Sequence, residues 1–144
     1  MAIQSYSVSK GKLVTGRVIT ILTVLFLLFD STLKILKLQA VVDGTVRAGY
    51  PASLIQPIGI ALLVCTILYM IPRTSVLGAI LLTGYLGGAT ATMVRLQNPW
   101  FLFPVGFGVL AWAGLFLREP RLWTLVPLRS EDTVSPMHEQ KKAA

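Results

Sequence analysis

Asp30 and Lys34 are the residues best placed to do chemistry, because they stand four positions apart inside a stretch that is otherwise apolar. On a helix that spacing puts both side chains on one face, one turn apart, where a carboxylate and an ammonium neutralise each other. Two roles are open to such a pair. It can close one end of a helix bundle as a structural ion pair, or it can form a proton-binding or polar-headgroup site facing an outer cavity. Tyr85, whose hydroxyl needs a partner if buried, and Arg95 could join either arrangement as further members of an intramembrane polar site.

The elements that must position these residues are four long apolar stretches, Val18 to Lys37, Leu54 to Ile71, Val76 to Val94 and Trp100 to Leu117. At 1.5 Å rise per residue each is long enough to cross about 30 Å of hydrocarbon as a helix. Of the 144 residues 54% are hydrophobic and only 13% charged, and the charges fall mostly between or outside these runs. Lipid offers a backbone no hydrogen-bond partner, so each run must be helical. The expected fold is all-α, a four-helix transmembrane bundle. The first span is the weakest, since its uninterrupted part, Val18 to Phe29, covers only about 18 Å and needs Asp30 to Lys37 to finish crossing. As a secretory signal it would use Lys10, Lys12 and Arg17 as a basic leader, but no small-x-small cleavage site follows. Asp30 then lies about 20 Å from the inner edge. Lys34 lies near the outer boundary, where its long stem can snorkel. The off-centre pair therefore costs less to insert than the roughly 3 kcal/mol of a mid-membrane charge.

A net charge of +7 suggests nucleic acid, but the positions of the 13 basic residues decide against it. With four spans the termini share a side with the second connection, and that side holds Lys10, Lys12, Arg17, Arg73, Arg118, Arg121, Arg129, Lys141 and Lys142. The other side holds Lys34, Lys37, Arg47 and Arg95. The excess places the termini in the cytoplasm by the positive-inside rule. Tyr50 and Trp100 at the outer edge, and Tyr69 and Trp123 at the inner, fit aromatic belts.

Several chemistries lack their residues. Cys65 is the single cysteine, so no dithiol pair exists for quinone-linked disulfide chemistry, and Cys65 reads as a small packing residue. The lone histidine, His138, cannot supply a two-histidine haem, and no Cys, His, Asp or Glu cluster has metal-ligand spacing. Gly-Tyr-Leu-Gly-Gly at 84–88 lies inside a membrane helix and cannot be a phosphate-cradling loop.

The third span carries the clearest packing signal: Gly84, Gly88 and Thr92 recur every four residues, with Gly87 and Ala91 alongside. Small stripes let helix backbones approach closely, which replaces the missing hydrophobic drive in lipid. Packing within the chain, against the glycines of span four, is expected, with a homodimer face as the other reading. The outer connection from about Gln39 to Ser53 is a long loop with a turn at Gly49 to Pro51. Ser53 should cap the second helix, and Pro57 falls in its first turn. Pro72-Arg73-Thr74 is so short that spans two and three must form a tight antiparallel hairpin. Residues 1–15 read as a polar cytoplasmic segment, 16–129 as the membrane domain, with Pro120 to Arg129 lying flat in the interface, and 130–144 as a disordered cytoplasmic tail.

The order Asp-Ser-Thr-Leu-Lys at 30–34, then Gly-Tyr-Pro, then the run from Ile71 to Arg95, resembles the DoxX-like family of bacterial membrane proteins over about residues 16–129. The resemblance implies a four-helix bundle in a bacterial cytoplasmic membrane. The family takes its name from a subunit of a thiosulfate:quinone oxidoreductase, and relatives are linked to oxidative-stress complexes and to assisting other membrane proteins. Asp30, Lys34, Tyr85 and Arg95 match the family pattern. Ala61 and Met93 depart from it, standing where relatives often have a carboxylate and a histidine. Both departures remove ionisable groups and count against redox or proton chemistry in this chain.

The function expected is that of a non-catalytic accessory or assembly subunit of a membrane complex linked to redox or oxidative stress. Its partners would be the lipid bilayer and either another membrane protein or further copies of itself, not nucleic acid. No cofactor is required. The alternative is an oxidoreductase subunit in which Asp30, Tyr85 and Arg95 hydrogen-bond a quinone, since an apolar pocket with few polar groups suits that ligand. A small proton-coupled transporter ranks third, because the ammonium beside Asp30 opposes the raised pKa that a transport carboxylate needs.

Overall fold

The computed structural model describes residues 10–119 and Leu122. The expectations for Trp123, for the rest of the interfacial segment and for the tail therefore lie outside the described residues, as do those for residues 1–9.

Helix α1 runs over Lys10–Ile35, 26 residues. It starts eight residues before the apolar run, so Lys10 to Thr15, expected as surface chain, are helical, and the span that looked short is amply long. Its inward stripe is Gly16, Thr20, Thr23, Val24, Leu27 and Ser31, the three-and-four spacing of a helix with one buried face. Two of the three hydroxyls on that stripe bond their own helix: Thr23 donates to the Ile19 carbonyl at 2.8 Å and Ser31 to Leu28 at 2.9 Å. A hydroxyl satisfied this way enters lipid without an orphaned donor. The helix ends where Lys37 turns to φ 51° and Leu38 N–H donates to the Leu33 carbonyl at 3.1 Å, which satisfies a terminal carbonyl.

The outer connection is not a plain loop. Gln39–Arg47 form α2, nine residues, and Gly49 takes φ 85° to turn the chain into Tyr50-Pro51, a conformation open to glycine at no steric cost. A 3-10 turn, Ala52–Leu54, leads into α3, Ile55–Met70. Ser53 lies within that turn and makes no capping bond to α3. The cap is not needed there because the preceding turn already occupies the N–H groups, as Leu54 N–H on Pro51 O and the Ile55 N–H on Ala52 O demonstrate. Pro57 falls in the first turn of α3, as the sequence indicates.

Helix α4, Ser75–Arg95, follows after four residues. Thr74 Oγ1 donates to the Leu68 carbonyl at 2.8 Å and Ser75 Oγ to Pro72 at 3.1 Å, which ties the hairpin. Asn98 then caps a 3-10 turn, Pro99–Phe101, that leads into α5, Leu102–Arg118. Helices α1, α3, α4 and α5, with the 3-10 turns that extend them, are each long and apolar enough to cross a membrane. They pack as a ring in which α1 touches α3 and α5, and α4 touches the same two. The centre is apolar, built on Leu27, Leu62, Tyr69, Leu82, Ala111 and Leu115.

Close approach is made by glycines other than those expected. A side chain on Gly78 would come within 2.5 Å of the Tyr69 Cα, one on Gly59 within 2.8 Å of Lys34 Cβ, and one on Gly16 within 2.7 Å of Leu117 Cβ. Gly114 completes the α1–α5 crossing, 2.6 Å from Thr20 Oγ1 by the same measure. Thr20 Oγ1 is buried without a hydrogen-bond partner. Gly84, Gly87 and Gly88, by contrast, have nothing within 4 Å and face outward. The expectation that they pack within the chain is corrected. Helix α4 turns Gly78, Ala79, Leu82 and Leu86 inward, and Gly84 lies about 200° round the helix from Leu82. One helix cannot present both faces to the same neighbours. Thr92 also packs differently from expectation, because it ties α4 to the outer connection through Tyr50, whose hydroxyl is 2.9 Å from Thr92 Oγ1. Tyr69, expected in an interfacial belt, is fully buried and donates to the Ala111 carbonyl at 2.7 Å.

Candidate functional site

Two of the four expected polar residues form a direct pair. Lys34 Nζ donates to the Asp30 carboxylate, as the four-residue spacing requires. The side chains retain 19% and 32% exposure, so the pair belongs neither to the dry core nor to open surface. Lys34 is pinned at its Cβ by the close passage of Gly59 on α3.

Tyr85 belongs to the same region although it comes from α4, across the ring from α1. It is half-buried against the core cluster, and Asp30 and Cys65 lie within electrostatic reach of its hydroxyl. The constellation is thus Asp30 and Lys34 from α1, Cys65 from α3 and Tyr85 from α4. On the α5 side the aromatic rings form a slab: Phe26 stacks on Phe107 with centroids 4.1 Å apart, and Phe103 meets Phe107 edge-on at 5.1 Å. Arg95 does not pair with Asp30. Its Nη2 donates to the Ala48 carbonyl, where it lies beside Gly49 and secures the outer connection to the end of α4.

Gly87, one of the three glycines left open on α4, borders a second feature. Thr83, Gly87, Thr90, Gly108, Val109 and Trp112 line a groove of about 520 Å³ between α4 and α5. Trp112 Nε1 donates to Thr83 Oγ1 at 2.8 Å across it, so its floor is held and its polar atoms are already paired. The sequence marks the glycines but not the groove, which requires Gly108 and Ala113 of α5 to come opposite.

At the other end of the bundle Arg118 lies with its guanidinium carbon 5.3 Å from the centre of the Tyr69 ring. Its Nε and Nη2 are buried without a hydrogen-bond partner. In sequence it reads as an ordinary basic residue closing a span, and nothing in the pattern marks the ring beneath it.

No group of three or more His, Cys, Asp or Glu among the described residues could hold a metal. The site therefore offers paired charges, one phenol, aromatic faces and an apolar groove. Neither the curated proteins nor the solved structures contain a match to the chain. The model of the DoxX-like family matches residues 18–114, more than half of the sequence and all of the constellation just described, and the chain belongs to that family.

Proposed function

We propose that this membrane protein is a non-catalytic accessory or assembly subunit, and that the outward face of α4 and α5 receives a transmembrane helix of a partner. The observation that carries this reading is the open row Gly84, Gly87 and Gly88 beside a groove whose own polar atoms are paired. Helix association in lipid relies on close backbone contact at small residues, and this face offers that contact to something outside the chain. The complex served would be one handling quinone or oxidative stress, in a bacterial cytoplasmic membrane with both termini cytoplasmic. Mild-detergent purification from the native membrane, with mass spectrometry of proteins and lipids, tests it. A stoichiometric protein partner lost in Gly88→Leu supports the reading; a solitary protein indifferent to that change defeats it.

A second reading, an oxidoreductase subunit that binds quinone, draws on the Tyr85 hydroxyl, which has Asp30 in reach and no hydrogen bond of its own. A phenol and a carboxylate beside aromatic rings suit a quinone carbonyl and ring. Copurified quinone that disappears in Asp30→Asn would favour this reading over the first.

A further inference from the structure

Arg118 carries a need that the rest of the described chain does not meet. A buried donor left without an acceptor loses its hydration with nothing in return, and the loss is greater when the donor is charged. Here two are left together, Nε and Nη2, and they are the parallel N–H edge of the guanidinium, the edge that grips a phosphate or carboxylate with two hydrogen bonds. The Tyr69 ring on one face attracts the cation through its negative π face. Tyr69 is itself fully buried and bonded to the Ala111 carbonyl. The ring thus fixes the plane of the guanidinium without supplying an acceptor to its edge.

The surroundings select the sign and depth of what would. Arg118 is the last residue of α5 and half-buried, so it lies where hydrocarbon gives way to headgroups. Helix α1 begins at the same end, since Gly16 abuts Leu117, and it brings Lys10, Lys12 and Arg17, all exposed or half-exposed. Arg73 follows three residues after the end of α3, the helix that carries Tyr69 close to its terminus. Glu119 is the one acidic residue at this end among the described residues. We infer that Arg118 holds the phosphate of an anionic phospholipid in the leaflet on this side, with Tyr69 orienting the fork and the surrounding basic residues favouring a lipid of net negative charge.

The test uses the full-length protein in nanodiscs of phosphatidylcholine, with and without phosphatidylglycerol, and native mass spectrometry to count retained lipid. The expected result is selective retention of phosphatidylglycerol, weakened at least tenfold in Arg118→Ala. Arg118→Lys keeps the charge but loses the fork, and is expected to lose most of the selectivity. Arg73→Ala removes the same charge from the same rim and is expected to cost only about fivefold, the equivalent of ~1 kcal/mol per basic residue near an anionic surface. Selectivity that survives in Arg118→Lys overturns the fork, and equal losses in Arg118→Ala and Arg73→Ala reduce the site to general charge. Inorganic phosphate that displaces the lipid at millimolar concentration would identify a soluble anion instead and overturn the lipid assignment.

Discussion

Asp30 and Lys34 were legible as a pair because one helical turn fixes their separation whatever the rest of the fold does. Their worth depends on burial, which spacing does not reveal. Exposed pairs contribute about 0.2–1 kcal/mol, and breaking a fully buried one costs about 3–5 kcal/mol; at 19% and 32% exposure this pair stands between. A double-mutant cycle of Asp30→Asn and Lys34→Met, read by reversible unfolding in detergent, should give a coupling of about 1–2 kcal/mol. Asp30→Asn should be the more damaging single change, since it leaves the Lys34 ammonium, on a side chain only 19% exposed, without a counter-charge. A coupling near zero would mean that the two ions are effectively in water. The partner of Arg95 was not legible, for a different reason: it binds a backbone carbonyl, which no side-chain pattern encodes. The same holds for Tyr69, whose hydroxyl also ends on a carbonyl. Tyr69→Phe should lower stability by about 1–2 kcal/mol through that lost buried bond, and a melt unchanged within error would show the bond to be dispensable.

At the level of elements, all four spans were readable from apolar length alone, and the hairpin between α3 and α4 from its short connection. The choice of which face of α4 turns inward was not. Gly84 and Gly88 form a conspicuous repeat, but Gly78 stands alone in sequence and is the residue whose missing side chain lets the α4 and α3 backbones meet. A motif announces that close packing is possible, whereas the fold decides where it occurs. Gly78→Ala should therefore destabilise by at least about 3 kcal/mol, since backbone rather than a flexible side chain blocks the added methyl. Gly84→Ala should leave the stability of the isolated protein unchanged or raise it by up to about 1 kcal/mol, because nothing lies within 4 Å and alanine is the better helix former. Equal effects of the two would overturn the assigned inward face. The helix ends were also hidden. Gln97 closes α4 at φ 52° with Asn98 N–H on the Met93 carbonyl, a position where a side chain carries a steric cost of roughly 1–2 kcal/mol. Gln97→Gly should stabilise by about 0.5–1 kcal/mol once the extra freedom of glycine in the unfolded chain is deducted.

For the molecule as a whole, the ring of four long helices requires the start of α1, the α3–α4 connection and the end of α5 to lie at one end, with α2 and the α4–α5 connection at the other. The structure carries that arrangement independently of any membrane: Gly16 meets Leu117 at one end, and Arg95 meets Ala48 at the other. Which end faces the cytoplasm is a matter of charge rather than of packing, and the two ends differ clearly. Lys10, Lys12, Arg17, Arg73 and Arg118 gather with Glu119 at the first, while Lys34, Lys37, Arg47 and Arg95 share the second with Asp30 and Asp43. Basic residues close to the ends of spans resist translocation, so the first end should remain inside. Replacing Cys65 by Ala and placing single cysteines at Arg73 and at Asp43 gives a direct reading with a membrane-impermeant thiol reagent. In intact cells the Asp43→Cys protein should label and the Arg73→Cys protein should not, and the order should reverse in inverted vesicles. The reverse pattern in cells would invert the orientation and would move the Arg118 lipid site to the outer leaflet. Labelling of both positions from the same side would break the four-span ring itself, because the single helix α3 and its leading turn separate them.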